Sequence, residues 1–185
     1  MADDPPTLSF ADAAAFDAWL AAHHGDAAGV WLRMARKGSG IRSLTSDEAV
    51  DVGLCWGWIS GLRRAGDESH YLQRYVPRRP RSAWSRVNVR RVEALMAAGR
   101  MRPPGLAEVE AARADGRWEA AYESQRSAAV PDDLAAALAA RPRAARAFEA
   151  LGRTDRYAAI LPLLRARTPA GRARRLGALL DRLEA

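Results

Sequence analysis

The chain has 185 residues, a formal net charge of +7 and six tryptophans, and 49% of its residues are hydrophobic, a composition that predicts one or two globular domains and argues against a disordered chain. Cys55 is the only cysteine, which excludes an intrachain disulfide and a cysteine-based metal site. No apolar run reaches the ~18 residues of a membrane-spanning helix, and the first residues lack the apolar region of a signal peptide, so we expect a reduced, cytoplasmic protein with no membrane contact.

The first forty residues predict a helix followed by a strand. Residues 1–7 have the composition of a loose leader, and Ser9 is a candidate N-cap for a helix that ends at Gly25. Residues 29–36 alternate between apolar and mixed side chains, which is typical of a strand. The segment Lys37–Gly40 lacks the glycine spacing of a phosphate-binding loop and therefore predicts a simple turn.

A buried helix is predicted next. Thr45 and Glu48 form a capping box, so the helix begins directly after Thr45. Residues 49–59 contain one charged side chain and apolar side chains on every face, which predicts a helix packed on all sides. Cys55 lies within it, and because no histidine is near in sequence, we interpret it as a buried, unreactive thiol rather than a nucleophile.

Two short strands and another helix follow. Residues 61–65 and 70–76 predict a hairpin, in which Arg74 and Val76 share one face of the second strand. The chain then enters an arginine-rich loop, and the next helix begins within residues 83–89. No strand is predicted beyond this point.

The second half of the chain predicts helices only. Pro103–Gly105 interrupts the chain, and a short helix follows it. Four later helices begin near a proline or threonine, at Pro131, Pro142, Thr154 and Thr168. Pro162 is expected to kink or end the third of these. The predicted fold class is therefore α+β, with a small mixed α/β N-terminal part that holds a short antiparallel sheet (residues 1–115) and an all-helical C-terminal part (residues 116–185).

Positive charge is concentrated in the middle of the chain. Residues 72–102 hold nine arginines and a single acid, Glu93, so their net charge of +8 leaves the remainder near neutral. Arginine grips carboxylate or phosphate groups with a planar pair of N–H donors, and local positive charge attracts anions. We name the densest part, Pro77–Asn88, the arginine loop. Pro77 and Pro80 stiffen it, and its serines place a helix N-terminus beside it.

The arginine loop is the predicted ligand site. Its arginines supply charge, its serines and asparagine supply helix caps, and two tryptophans supply stacking surfaces. The candidate ligand-binding residues are Arg78, Arg79, Arg81, Ser82, Trp84, Ser85, Arg86, Asn88 and, from the preceding buried segment, Trp58. The alternative for each is structural: a solvated or internally paired arginine, a core tryptophan, or a simple helix cap. No metal site and no cofactor are predicted.

Several motifs resemble one family. Gly57–Ile59, the arginine loop, Gly99–Met101 and Asp115–Trp118 resemble the YdeI/OmpD-associated, or bacteriocin-protection, family, and the tail from about residue 118 to 176 resembles its helical OmdA-type domain. The resemblance covers nearly the whole chain. It implies a bacterial protein with a role in stress tolerance or in protection from antimicrobial peptides, and it implies no catalytic residues. The family usually has an aspartate where this chain has Ser60, so an acidic partner of the arginine loop would be missing here.

Three functions are compatible with these residues. The leading hypothesis is a non-enzymatic protein that binds an anionic or aromatic small molecule, or a peptide, at the arginine loop, in connection with stress tolerance or protection from antimicrobial peptides. A second is a metal-independent enzyme with an arginine-lined pocket, whose acids and bases would come from Asp51, Asp67, Glu68, Glu93, Tyr71 and Tyr75. A third, less favoured hypothesis is nucleic-acid binding through residues 72–102, although no known nucleic-acid-binding motif is present.

Overall fold

The computed structural model describes residues 5–25, 28–123 and 128–185, and the chain divides into two compact units. The first, the sheet unit, comprises Met1–Trp84 and Asn88–Ala120, and the second, the helical unit, comprises Ser85–Val87 and Ala121–Ala185. The predicted α+β class is confirmed, because a sheet occurs in the first unit and helices occur along the whole chain. No helix of the described residues has the length and apolarity needed to cross a membrane.

The sheet unit contains a four-stranded sheet. Its strands are β1 (Thr7–Leu8), β2 (Val30–Ala35), β3 (Trp58–Ala65) and β4 (His70–Pro77), in the order β1-β2-β4-β3. β1 pairs with β2 in parallel, and the other two pairings are antiparallel. The sheet is therefore mixed rather than purely antiparallel, because the segment predicted as a loose leader contributes the short strand β1.

Helices precede and follow these strands in the first 120 residues. They are α1 (Ala13–His23), α2 (Ser46–Cys55), α3 (Arg86–Ala97) and α4 (Pro103–Ala114). The predicted capping box is present at α2, since the Thr45 hydroxyl accepts from the Glu48 N–H and the Glu48 carboxylate accepts from the Thr45 N–H at 2.9 Å. The cap of α1 is Asp12 rather than Ser9, because the Asp12 carboxylate accepts a bond from the N–H of Ala15.

The end of α2 differs from the prediction for a local reason. The sequence predicts a helix through residue 59, but α2 ends at Cys55 and β3 begins at Trp58. Gly57 lies between them with a φ of +74°, a conformation that glycine adopts without the cost that a side chain incurs. Trp58 is buried as predicted, but as part of a strand, whereas its apolar neighbours Trp56 and Ile59 are only half-buried.

The core of the sheet unit lies between the sheet and helices α1 and α2. Its buried members include Phe16 and Leu20 of α1, Val52 of α2, Trp58 of β3 and Tyr75 of β4. Burying a large apolar side chain contributes about 1.5–3 kcal/mol to folding. This core therefore holds β3 and β4 in place where the chain enters the arginine loop.

The helical unit contains α5 (Asp132–Ala139), α6 (Pro142–Ala150), α7 (Arg153–Leu164) and α8 (Pro169–Glu184). These helices pack around a second apolar core that includes Leu134, Phe148 and Leu163. α7 continues past Pro162 for two residues, and its last carbonyls accept hydrogen bonds from arginines of α8. Arg172 donates to the Leu163 carbonyl at 2.8 Å, and the same carbonyl accepts from the Ala166 N–H at 3.1 Å, so this end of the helix is held by both a side chain and the backbone.

Arg172 also binds Asp133 with two hydrogen bonds of 2.6 and 2.7 Å, and these lower the pKa of the Asp133 carboxyl. A carboxyl with a lowered folded-state pKa adds stability above its unfolded pKa of about 4 and loses it as the pH falls below that value. We expect Asp133→Asn to lower the stability of the helical unit by about 1 kcal/mol or less at pH 7, because both side chains are partly exposed. The deficit should shrink toward pH 3. Urea denaturation followed by circular dichroism measures it, and a deficit independent of pH would contradict the assignment.

Candidate functional site

A groove of about 490 Å³ opens in the sheet unit where β4 runs into the arginine loop. Among the described residues, three arginines line it, namely Arg74, Arg78 and Arg79, and no acidic side chain does. The rest of the lining is mainly apolar and comes from both strands of the hairpin and from the loop: Ile59, Leu62, Val76, Pro77 and Pro80. The groove thus combines positive charge with an apolar wall.

The three arginines are held in different ways. Arg78 is 6% exposed, and its guanidinium carbon lies 3.5 Å from the centre of the Trp84 ring. Arg79 is exposed at the rim. Arg74 is half-buried, and its Nε is buried without a hydrogen-bond acceptor in the described part of the chain. Arg78 is therefore fixed in position by a cation–π contact, whereas Arg79 is the arginine most accessible to a ligand.

A tight turn shapes the rim of the groove. The Ser82 N–H donates to the Arg79 carbonyl at 3.0 Å, with Pro80 and Arg81 as the two central residues. Arg81 has a φ of +67°, which with proline before it is the pattern of a type II turn. That position favours glycine, since a Cβ in the left-handed region costs roughly 1 kcal/mol.

Arg81→Gly should therefore stabilise the sheet unit by about 0.5 kcal/mol, because the relief of strain exceeds the added entropy of the unfolded chain. Urea denaturation followed by tryptophan fluorescence measures this, since all six tryptophans belong to the sheet unit. Arg81→Ala is the matched control, because it removes the same charge but keeps the Cβ. A gain in both variants would attribute the effect to charge rather than to backbone strain.

A second segment of the sheet unit, Asp115–Trp118, contacts the arginine loop. Arg117 is buried, its Nε donates to the Asp115 carboxylate at 2.6 Å, and its NH1 donates to the Ser82 carbonyl at 3.1 Å. Trp118 packs against Trp84 with ring centres 4.8 Å apart. Residues 82 and 84 of the arginine loop are therefore in direct contact with the distant motif Asp115–Trp118.

The structure brings some of the predicted site residues together at the groove. Arg78, Arg79 and Ser82 line it, and Arg81 is exposed on the adjoining turn. The Trp84 ring packs against the Arg78 guanidinium and holds it in position. Trp58 is elsewhere: it is 1% exposed in the core, and its indole N–H donates to the His24 carbonyl at 3.3 Å.

The other predicted site residues lie at the start of α3. The N–H of Arg86, the first residue of α3, donates to the Tyr122 carbonyl at 2.9 Å, so the first N–H group of this helix already has an acceptor in the protein. Ser85 pairs with Tyr122 in an isolated β-bridge, and the Arg86 guanidinium lies 3.9 Å from the Glu123 carboxylate. Asn88 is half-buried in the first turn of the helix. These contacts make Ser85 and Arg86 part of the helical unit's own structure.

Sequence reasoning missed the six described groove residues that lie outside the arginine loop: Ala28, Ile59, Gly61, Leu62, Arg74 and Val76. The alternation along β4 already places Arg74 on the same face as Val76, and both line the groove, so that pattern was a usable signal. Leu62 had no comparable signal, because its 63% exposure depends on an irregularity in the pairing of β3 that only the three-dimensional structure shows.

Three of the residues considered for catalysis, Asp51, Asp67 and Tyr75, are engaged or buried in the fold. Asp51 accepts a bond of 2.9 Å from Arg91, and hydrogen bonds from Arg33 and Ser69 hold the pKa of Asp67 well below its usual range. Burial raises the pKa of the Tyr75 phenol and, to a smaller extent, that of the Cys55 thiol, so neither ionises readily. The described residues include no group of three or more histidine, cysteine or acidic side chains placed to hold a metal ion.

Comparison with known families gives two matches along the chain. Residues 8–108 match the family described as "Domain of unknown function (DUF8412)". Residues 127–185 match the OmdA family, described as "Bacteriocin-protection, YdeI or OmpD-Associated", which confirms the predicted resemblance for that part. The motifs from Gly57 to Met101 that suggested the same family lie within the first match, and Asp115–Trp118 lies between the two. No curated protein and no solved structure matches the chain.

Proposed function

The chain belongs to the family described as a domain of unknown function (DUF8412), and we propose that its sheet unit is a binding module for a small anion that carries an apolar portion. The observation that carries the proposal is the lining of the groove, whose described residues combine three arginines with an apolar wall and include no acid. A charge-assisted hydrogen bond contributes about 1.5–3 kcal/mol, and each buried CH₂ about 0.8 kcal/mol. Neither contribution alone gives strong binding, but together they do.

The way the arginine loop is held favours binding. Arg78 is fixed by Trp84, and the turn that carries Arg79 is anchored through Ser82 to Arg117. A cation that is already in position loses little conformational entropy when an anion arrives. The described residues of the groove lining include no carboxylate, histidine or cysteine to transfer a proton or attack a substrate. Binding is therefore better supported than catalysis.

The test compares ligands that differ in one property at a time. Acetate, octanoate and octylamine are titrated against the whole chain by tryptophan fluorescence and calorimetry. We expect octanoate to bind at least ~10-fold more tightly than acetate, since its added CH₂ groups contact the apolar wall. Octylamine, which has the same tail and the opposite charge, should not bind. Equal binding of acetate and octanoate would refute the apolar part of the proposal.

Arg79→Gln should weaken octanoate binding by about 10-fold, which corresponds to the loss of one charged hydrogen bond. Arg90→Gln is the matched control, because Arg90 is exposed on α3, outside the groove lining, and its loss changes the net charge equally. Similar losses in both variants would indicate general electrostatic attraction. A steep decrease in affinity with salt for a DNA duplex, with no octanoate binding, would instead support nucleic-acid binding.

We extend the proposal to protection against bacteriocins, which the description of the family matched by residues 127–185 names. Cells that produce the wild-type chain should survive a bacteriocin better than cells that produce the Arg79→Gln variant at the same protein level. Equal survival would separate protection from the groove, while the binding measurements above would still decide whether the groove holds an anion.

A further inference from the structure

The outer edge of β3 is open along most of its length. β3 is the last strand in the sheet order, and in the described part of the chain it pairs with β4 alone. Its residues from Gly61 to Ala65 are exposed, and only Trp58 at its start is buried. The backbone N–H and C=O groups on the outer side of such a strand are available to an additional strand.

The open edge and the groove are parts of one surface. Ile59, Gly61 and Leu62 belong to β3 and also line the groove, whose arginines follow at the end of β4. The first residue of β3, Trp58, lies opposite the last residue of β4, Pro77, so the arginine loop leaves the sheet beside the start of β3. A chain lying along β3 would therefore meet the arginines at that end.

An irregularity limits what can pair with this edge. The register between β3 and β4 shifts between Ser60 and Arg63, and the Gln73 side chain donates to the Gly61 and Leu62 carbonyls at 3.0 and 3.1 Å. Leu62 is 63% exposed at this bulge and forms part of the apolar wall. A bulge interrupts a long regular ladder, which disfavours pairing with a second copy of this strand and leaves room for a short segment.

We infer that the ligand is the C-terminal end of an extended peptide. Its terminal carboxylate binds Arg78 and Arg79, its last side chain is apolar and contacts Ile59 and Leu62, and its backbone pairs with the open edge of β3. Since the carboxylate lies at the start of β3, the peptide runs antiparallel to that strand. This inference rests on the proposed function and names the class of anion, using main-chain pairing for affinity and a side-chain pocket for selectivity.

The experiment distinguishes binding of a peptide from binding of a simple apolar anion. The probes are octanoate, N-acetyl-leucine, an N-acetylated alanine-serine hexapeptide that ends in leucine, and the same hexapeptide with a C-terminal amide. We expect the free-acid hexapeptide to bind at least 10-fold more tightly than both its amide and N-acetyl-leucine. Methylation of its backbone nitrogens should remove the advantage over N-acetyl-leucine. Hydrogen exchange of the amides of β3 should slow with the hexapeptide and remain unchanged with octanoate.

Each outcome has a distinct meaning. Equal binding of N-acetyl-leucine and the hexapeptide, with octanoate bound, would overturn the peptide inference and leave the anion site intact. Binding of none of the anions would overturn both proposals. The Leu62→Glu variant tests whether the apolar wall contacts the ligand. Because the Leu62 side chain is exposed, the substitution should not affect folding. It should weaken the hexapeptide and octanoate alike by at least 10-fold, and unchanged binding would also contradict the inferred position of the ligand.

Discussion

Gly105→Ala is expected to destabilise the sheet unit by about 3 kcal/mol or more, which is the upper end of the range for overpacked sites. Gly105 is in the first turn of α4, where a Cβ would lie 2.1 Å from the Cys55 carbonyl oxygen and 2.9 Å from that of Leu54. These contacts involve the backbone of α2, so no side-chain rotation relieves them. Urea denaturation followed by tryptophan fluorescence measures the loss.

Helix propensity alone predicts the opposite sign. An alanine replacing a glycine within a helix normally stabilises by about 0.5–1 kcal/mol. Gly177→Ala in α8 is the matched control, because the Cβ it would add meets no atom of the described residues within 4 Å beyond its chain neighbours and the backbone of its own helix. It should show the normal gain when unfolding of the helical unit is followed by circular dichroism. A gain at Gly105 as well would mean that α4 does not pack closely against the end of α2.

Elements with a strong local signal were predicted from the sequence. The capping box at Thr45 and Glu48 placed the start of α2, and the threonine-proline pair at residues 168–169 placed the start of α8. These features depend on side chains that satisfy backbone groups a few residues away, so a short window of sequence contains the whole interaction. The other three helices of the second half were predicted from prolines and apolar spacing, and they begin without a side-chain cap. The N-cap of α7 is accordingly Gly152 rather than the predicted Thr154.

Two features that depend on distant partners, β1 and the start of β3, were not predicted. β1 has two residues and exists because it pairs with β2, more than twenty residues later. The segment after Cys55 has the apolar composition of a buried helix, and its burial in a strand is decided by pairing with β4. Short apolar runs do not distinguish a buried helix from a buried strand, which explains the wrong end predicted for α2.

The candidate site was likewise predicted only where the signal is local in sequence. The local density of arginine indicated the loop that lines the groove, and Arg78 and Arg79 do line it. The sequence did not indicate that Trp84 acts as a support, because its contacts with Arg78 and Trp118 depend on the tertiary fold. The role of Asp115–Trp118 in holding the loop through Ser82 was hidden for the same reason.

Trp84→Ala should destabilise the sheet unit by about 3–5 kcal/mol, the usual cost of replacing a buried aromatic side chain with alanine. Trp84 is 2% exposed, and its ring contacts both the Arg78 guanidinium and the Trp118 ring. Its removal leaves a cavity and deprives the Arg78 guanidinium of its stacking partner. Urea denaturation followed by circular dichroism is the measurement, since the substitution itself removes a fluorophore. Octanoate affinity should decrease by at least ~10-fold in the fraction that remains folded, because a mobile Arg78 loses more entropy on binding.

The Trp84→Phe variant keeps an aromatic ring but removes the indole nitrogen, so it distinguishes the contribution of the ring from that of the indole N–H. The Trp84 N–H is buried and has no acceptor in the described ranges, so phenylalanine forfeits no hydrogen bond while removing a polar group whose burial costs about 1–3 kcal/mol. That relief offsets the loss of apolar contact from the smaller ring. We therefore expect Trp84→Phe to lie within about 1 kcal/mol of the wild-type protein and to retain octanoate binding. A loss as large as that of Trp84→Ala would show that the indole N–H has a partner, and that the site depends on that bond rather than on an aromatic face beneath Arg78.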